Sequence, residues 1–334
     1  MKFEQIINDI QNKIFSPVYF MHGEEPFFID QLASYIETHA LDEASREFNQ
    51  SVLYGRDVTP EAVISMARSF PMMGNYQVVI LKEAQEMDKI DELEAYIKSP
   101  LSTTVLVICY KHKKVDKRKS FYKSLSNSKD TVLFHSERLK DYQIPDWIEK
   151  TAGIMGYSVN PVSSRILSDY LGNDLGKIHN ELEKLAINLE KGATITEEEI
   201  EQHIGISKDF NIFELQKALG TRNALKVQRI VKYFEDNPKE HPLQMLSVIL
   251  HNFFVKVFIY HHVKQGKPKE IASELGVPPF FVKDYAQAAK VYSPQKIKTI
   301  ISGIRTLDLK SKGVGTTDAT SYGELKQLMY TIMH

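Results

Sequence analysis

The stretch Val18-Tyr19-Phe20-Met21-His22-Gly23-Glu24-Glu25-Pro26-Phe27-Phe28-Ile29-Asp30 decides the fold. Val18 to Met21 form a short apolar run that stops at His22-Gly23. A run of this length, bounded by a turn signal, reads as a strand buried on both faces. Pro26 stands where a helix begins, a position that suits proline because the first helical amide has no intrahelical partner to lose. Phe27, Phe28, Leu32 and Ile36 supply that helix with an apolar side. Strand, glycine turn and helix in this order are the opening half of a βαβ unit.

Working outward, the same alternation continues to about residue 135. Residues 51–54 read as a second strand, stopped by Gly55. Asp57-Val58-Thr59-Pro60 opens a helix whose apolar face is Val63, Ala67 and Phe70. Residues 77–81 are a third strand, 90–98 a charged helix, 103–110 a fourth strand and 131–134 a fifth. Strands separated by helices imply crossover connections and a mostly parallel sheet. Beyond His135 the strand signal disappears. Helices are expected over 144–155, ended by Gly156; over 161–171, ended by Gly172; and over 174–189, where Leu175, Ile178, Leu182, Leu185 and Leu189 recur every three or four residues. Thr196 followed by three glutamates is a capping-box start. From residue 209 the pattern is helical throughout, with seven helices over 211–220, 222–236, 240–265, 267–275, 278–290, 293–310 and 320–333. The expected organisation is an α/β domain (1–138), a small helical domain (139–208) and an all-helical domain (209–334), with no internal repeat.

Composition narrows the function. The 334 residues are 43% apolar and 25% charged, which is globular rather than disordered. Forty-two basic against 43 acidic residues exclude a global polycation, though not a local basic patch. The single cysteine, Cys109, excludes a disulfide scaffold or a multi-cysteine zinc site and reads as a buried core thiol. No stretch reaches the ~18–20 apolar residues of a membrane span; the best, 248–259, contains His251, Asn252 and Lys256. The start, with Lys2, Glu4 and Asp9, has no signal-peptide core. A soluble cytoplasmic protein is expected.

A first strand that ends in glycine and runs into a helix is the usual setting of a phosphate-binding loop. That loop needs a lysine for the β/γ-phosphates and a hydroxyl for magnesium. Counted from Gly23, its Gly-Lys-Ser/Thr triplet falls on Phe28, Ile29 and Asp30, and no lysine lies between Lys13 and Lys82. Glu24 and Glu25 would repel a triphosphate and can themselves answer the positive end of the helix. The third strand ends in Lys82-Glu83-Ala84, where a working ATPase carries consecutive acids for magnesium; Glu83 reads as a solvated strand end. No G-x-G-x-x-G or G-x-S-x-G motif is present. His261 and His262 are adjacent and diverge on a helix, and with His251 they make no metal set. The turn has the topology of a nucleotide loop without its chemistry, so no cofactor and no metal are expected.

Four segments, in this order, resemble the delta subunit family of the bacterial DNA polymerase III clamp loader, a branch of the AAA+ superfamily that has lost its ATPase residues. They are the opening 18–29; Phe70-Pro71-Met72-Met73-Gly74-Asn75-Tyr76-Gln77-Val78-Val79-Ile80-Leu81; Gly172-Asn173-Asp174 with the Asn180-Glu181-Leu182-Glu183-Lys184-Leu185 helix; and Leu307-Asp308-Leu309-Lys310-Ser311-Lys312-Gly313. The resemblance covers essentially the whole chain. It implies an α/β AAA+ module with P-loop-like topology, a helical lid and an all-α C-terminal collar. The implied task is to bind the ring-shaped sliding clamp and favour its opening, so that it can be loaded on primed DNA while other subunits hydrolyse ATP. No catalysis is expected of this chain itself, only membership of a nucleotidyltransferase complex. The implied partners are the beta clamp, the delta-prime and gamma/tau subunits through the collar, and primer-template DNA. The sibling subunits carry a Ser-Arg-Cys finger and usually a four-cysteine zinc module. Here Cys109 follows Val107-Ile108, which favours delta.

In the family, two large apolar residues ahead of the third strand insert into a pocket on the clamp. The matching positions are Met72 and Met73, flanked by Phe70 and Pro71, in place of the more usual Leu-Phe pair. Methionine can fill an irregular apolar pocket, and Pro71 and Gly74-Asn75 mark a turn that favours an exposed tip over burial under the sheet. The run Lys111, Lys113, Lys114, Lys117, Arg118 and Lys119, with Phe121 and Tyr122 interleaved, is a candidate for DNA phosphates, the alternative being a solvated surface. Lys290, Lys296, Lys298, Arg305, Lys310 and Lys312 raise the same question near the C-terminus. Rival readings are an active P-loop ATPase, opposed by the missing lysine, and a stand-alone DNA-binding protein, opposed by the near-neutral charge.

Overall fold

The computed structural model describes residues 1–72, 74–113, 115–207, 210–315 and 322–334. Two compact units divide the chain, Met1–Leu139 and Lys140–His334.

The first unit is built on five parallel strands: β1 (Val18–Gly23), β2 (Gln50–Tyr54), β3 (Gln77–Lys82), β4 (Thr104–Lys111) and β5 (Thr131–Ser136), in the order β2-β3-β4-β1-β5. Val18 pairs with Leu106 of β4 on one side and with Thr131 of β5 on the other, while Gln77 of β3 pairs with Thr104. The three inner strands are apolar at nearly every position because helices cover both faces. Side chains alternate across the pleat. Tyr19, Met21, Val78, Ile80, Val105, Val107 and Cys109 therefore share one core with helices α1 (Phe3–Gln11) and α2 (Pro26–His39), through Ile6, Ile10, Ile29, Leu32 and Ile36. Val18, Phe20, Val79, Leu81, Leu106 and Ile108 face the other core, with helix α4 (Pro60–Ala67) supplying Val63 and Ala67. Between α2 and β2 lies the seven-residue α3 (Glu43–Asn49), capped by Asp42, whose carboxylate accepts the Ser45 amide at 2.7 Å. The segment 90–98 is a 3-10 turn, Ile90–Leu93, running into the four-residue α5 (Glu94–Ile97) rather than one continuous helix. Helix α6 (Ser120–Asn127) precedes β5. The Cys109 thiol is wholly buried, and desolvation pushes it up to about 12, an inert core group.

The second unit opens with helices α7 (Ile144–Ile154), α8 (Pro161–Leu171), α9 (Leu175–Asn188) and α10 (Glu197–Ile204). Asn160 and Asp174 cap α8 and α9, and Thr196 with Glu199 forms the expected capping box. Leu175, Ile178, Leu182 and Leu185 are buried, so the stripe read from the sequence is the packed face as far as Leu185, while Leu189, expected on it, is the extended C-cap and half-buried. One expectation is corrected here. Two short strands, β6 (Ser158–Val159) and β7 (Thr194–Ile195), pair in parallel, so strand structure does not end at His135. Two residues are too few to show a period of two. Seven further helices follow: α11 (Ile212–Gly220), α12 (Ala224–Asp236), α13 (Leu243–Val263), α14 (Pro268–Leu275), α15 (Val282–Val291), α16 (Pro294–Ser311) and α17 (Gly323–Met333). They close around Leu246, Leu250, Phe253, Phe254 and Val257 of α13. By length and composition α13 is long and apolar enough to cross a membrane, which the sequence reading did not expect. Its inner face belongs to this core, and His251, Asn252 and Lys256 interrupt its outer side. His261 Nε2 and His262 Nδ1 lie 2.9 and 3.0 Å from the carbonyl oxygens of Tyr292 and Phe258.

Candidate functional site

The parallel register brings the carboxyl ends of β1, β3 and β4 together, since Gly23 lies opposite Lys111 and Leu81 opposite Ile108. Such an edge is where an open α/β sheet binds its ligand. Here the chain's own groups occupy it. Gly23 has φ +147°, and a Cβ there would stand 1.9 Å from the Ser136 carbonyl oxygen. The glycine therefore permits close packing against β5. Ser136 Oγ donates to the Glu25 carbonyl at 2.7 Å, and Glu25 Oε1 accepts the Phe27 amide at 3.1 Å, capping α2. An amide that a phosphate loop would offer to its ligand is taken up by a buried carboxylate. Gly23 is also bridged to Lys113 on the far side.

Beside this turn Lys111 points inward. Its ammonium lies 2.6 Å from Asp30 Oδ1 and 2.6 Å from Glu83 Oε1, and its amide donates to Gln85 Oε1 at 2.9 Å. Glu83 adopts a left-handed backbone conformation, φ +51°. Two sequence expectations change. Glu83 is part-buried and ion-paired, not a solvated strand end. Lys111 is buried with both acids, so its charge is not presented to solvent beside the other basic residues. Burial opposes the charged lysine, but the hydrogen bonds and charges of Asp30 and Glu83 outweigh it and hold Lys111 above the ordinary lysine value. Burial likewise opposes ionised Glu83, yet Lys111 and Gln85 hold it below the usual carboxylate range. Spacing had placed Asp30 where a magnesium-binding hydroxyl would stand. The structure gives that acid a cation from β4, a pairing across 81 positions that no local pattern reveals.

His22, at the end of β1, is buried, and its Nδ1 has no hydrogen-bond partner among the described residues. It stacks on His135 with ring centroids 4.8 Å apart. Burial first, then His135 and Lys117, lower it to about 4, so it is neutral at neutral pH.

The second cluster is the loop between α4 and β3. Helix α4 stops at Ala67, with Arg68 as its C-cap, so Phe70 is not on the helical apolar face expected of it. Phe70 is 74% and Met72 78% exposed, while Pro71 between them is half-buried. Met73 lies outside the described residues. The loop rests on α3: the Met72 amide donates to Asn49 Oδ1 at 2.7 Å, and Gly74, at φ +84°, leaves room for Ser45, whose Oγ would be 3.2 Å from a Cβ at that position. Phe48, beside Asn49 in sequence, is also exposed. Asn49 was missed by sequence reading, because a lone asparagine at a helix end looks like a turn residue.

The basic segment is only partly brought together. Lys113, Lys117, Arg118 and Lys119 are exposed, and Lys114 lies outside the described residues. Arg118 makes two bonds to Asp116, at 3.0 and 2.8 Å, and Lys119 pairs with Asp91 at 2.6 Å. Phe121 is a core residue packed edge-on to Phe20, so it does not serve as an interleaved nucleic-acid contact, and the half-buried Tyr122 lies against His22. Near the C-terminus Lys310 pairs with Glu324, Lys312 with Asp308, and Lys296 donates to the Thr331 carbonyl, which leaves Lys290, Lys298 and Arg305 as exposed cations.

Comparison with known proteins agrees with this layout. The profile of the DNA polymerase III delta subunit family matches residues 19–135, and that of the delta subunit's C-terminal domain matches 209–325. The DNA polymerase III subunit delta of Bacillus subtilis (strain 168) is 26% identical over 308 residues, 89% of this chain and 88% of that protein. The solved Bacillus subtilis DNA clamp loader delta protein superposes with a TM-score of 0.54 at 23% identity, covering 99% of both chains. The Thermotoga maritima RuvB Holliday junction branch migration motor gives a TM-score of 0.38 at 11% identity, over 86% of this chain and 87% of its own. The chain has a five-stranded parallel α/β unit continued by a helical C-terminal region, and it belongs to the DNA polymerase III delta subunit family.

Proposed function

We propose that this subunit binds the beta sliding clamp through the Phe70–Met73 tip and favours the opened ring, so that the assembled loader can place it on primed DNA. The observation that carries this reading is the exposure of Phe70 and Met72 on a loop pinned to the fold. Single exposed apolar side chains are ordinary at a protein surface, so the weight falls on two of them, Phe70 and Met72, carried together on one anchored loop that a partner could cover. Residues 1–138 serve as the AAA+ module, 139–208 as its lid and 209–334 as the collar that joins delta-prime and gamma/tau subunits. The module itself works without nucleotide: the triplet positions are Phe28, Ile29 and Asp30, and the capped α2 terminus and the Lys111 ion pairs occupy the site's edge. Catalysis belongs to the polymerase complex and ATP hydrolysis to sibling subunits, which disfavours the active-ATPase reading. Primer-template DNA is met within the complex, with Lys113, Lys117, Arg118 and Lys119 as candidate contacts, and the setting is the cytoplasm.

The test is clamp affinity by surface plasmon resonance for wild type and for Met72→Ala combined with Met73→Ala. Burying one methionine is worth about 1.5–3 kcal/mol. The pair is therefore expected to lower affinity at least about tenfold and to abolish clamp release from circular DNA. Unchanged affinity in a folded double variant would refute the tip.

A further inference from the structure

Resting on the tip reading above, we propose that Asn49 is the positioning residue of the clamp-contacting tip: its side-chain carbonyl holds the backbone at Met72 so that the Phe70 and Met72 side chains stay outward. Asn49 is fully buried, the last residue of α3, and its Oδ1 accepts the Met72 amide at 2.7 Å. One helical turn earlier Ser45, itself buried, underlies Gly74. Residues four apart share a helix face, so α3 presents Ser45 and Asn49 together to the loop, Asn49 at Met72 and Ser45 at Gly74.

The chemistry explains why an asparagine suits the position. The loop joins the end of α4 to β3, and its Met72 amide belongs to neither element, so a side chain has to supply the acceptor. The asparagine side-chain carbonyl supplies such an acceptor from the helix end, reaching further than a serine or threonine hydroxyl would. A loop left free would sample many conformations, and ordering it on binding would weaken the complex. A loop already held in one conformation presents Phe70 and Met72 without that loss. The short helix α3, itself fixed by the Asp42 cap, then acts as a platform for the tip.

The experiment is a double-mutant cycle on clamp binding with the full chain, using Asn49→Ala, Met72→Ala and both together, with Asn49→Asp as the variant that keeps an acceptor oxygen. Asn49→Ala is expected to weaken clamp binding about tenfold, almost entirely through slower productive association or faster release of a folded protein. It should have little further effect once Met72 is alanine, and Asn49→Asp should recover most of the loss. A purely structural asparagine would lower melting temperature while leaving the affinity of the folded fraction unchanged and its coupling to Met72 at zero; that result overturns the proposal. If Met72→Ala itself leaves clamp affinity unchanged, the tip reading fails and Asn49 falls with it. A second measurement needs no variant. In wild type, the Met72 amide should exchange with deuterium at least about tenfold more slowly than an open loop amide, and exchange at the unprotected rate would overturn the proposed bond.

Discussion

Replacing Lys111 by methionine tests how the carboxyl edge of the sheet is held together. Methionine keeps the length and apolar stem of the lysine and removes only its charge. The Lys111 side chain is 10% exposed, against 30% for Glu83 and 51% for Asp30. Removing one member of a fully buried ion pair costs about 3–5 kcal/mol, because the other charge is left without compensation. An exposed pair is worth about 0–1 kcal/mol. With one buried cation and two partly solvated acids the expected loss lies between, about 1–3 kcal/mol. Urea unfolding of the full chain, followed by far-ultraviolet circular dichroism, would show it as an earlier transition of the α/β unit. Pairing the change with Glu83→Gln should cost less than the sum of the two single changes, since the orphaned acid is then neutral. The pH dependence follows from the direction of each shift. Lys111 titrates higher in the fold, so its contribution is complete below the ordinary lysine value and is lost as pH rises through the raised one. Glu83 titrates lower, so its contribution is complete above the ordinary glutamate value and is lost as pH falls through the lowered one. The difference between wild type and Lys111→Met should therefore be flat from about pH 5 to pH 10 and shrink outside that window. A variant as stable as wild type to within about 0.3 kcal/mol would refute the reasoning, for the three charges would then be screened by solvent.

Calorimetry with ATP and magnesium should record no binding to wild type or to Lys111→Met; micromolar affinity in either would restore the ATPase reading. His22 is held down to about 4 by burial, so unfolding takes up a proton between that value and the ordinary one near 6.5, and stability should fall by up to about 3 kcal/mol as pH drops through this window. His22→Phe should flatten that slope in the α/β unit, and parallel curves for variant and wild type would show that the imidazole is not responsible. In the assembled loader, Lys113→Ala with Lys117→Ala should reduce the salt slope of DNA binding by about 1–2. Arg118→Ala and Lys119→Ala should change it less, because Asp116 and Asp91 already answer those charges; equal slopes for all variants would remove the segment from the DNA contact. Met72→Ala should leave the melting temperature nearly unchanged, as an exposed side chain contributes within about 0.5 kcal/mol of stability, and a clear drop would place the residue in the core.

The sheet was legible because its inner strands are buried on both faces and so appear as unbroken apolar runs between turn residues. The long C-terminal helices were legible because each carries a full amphipathic period. What escaped was short or non-local. Helix α3 has seven residues and depends on the Asp42 cap more than on an apolar stripe. The strands β6 and β7 have two residues each. Phe70 followed Val63 and Ala67 at helical spacing, yet α4 ends at Ala67 and the phenylalanine stands in solvent. Spacing alone cannot say where a helix stops; Pro71, which disfavours helical backbone at the residue before it, was the local signal against placing Phe70 on that face. The basic run shows the same limit for a site. Sequence gives the sign of each charge, while the acids that neutralise Lys111, Arg118 and Lys119 arrive from 2 to 81 positions away.

The groups that fill the strand ends bear on how such a subunit can act. In a nucleotide-driven module the turn after β1 must open to a phosphate and close around it. Here Gly23 is packed on Ser136, the Phe27 amide is capped by Glu25, and the acids Asp30 and Glu83 are met by Lys111. Each of these contacts satisfies a group that would otherwise wait for ligand, so the conformation of the module is fixed by the chain alone. The loop bearing Phe70 and Met72 leaves the opposite way, between α4 and β3, anchored to α3. On the proposed reading, a tip held out in one conformation would act on a partner ring only through differential affinity, shifting it toward opening by no more than the ratio of its affinities for the open and closed forms. A tenfold preference shifts that equilibrium by about 1.4 kcal/mol, whatever the absolute tightness of binding. On that reading, a tip held by the fold rather than by a nucleotide meets the clamp only when the assembly leaves it uncovered.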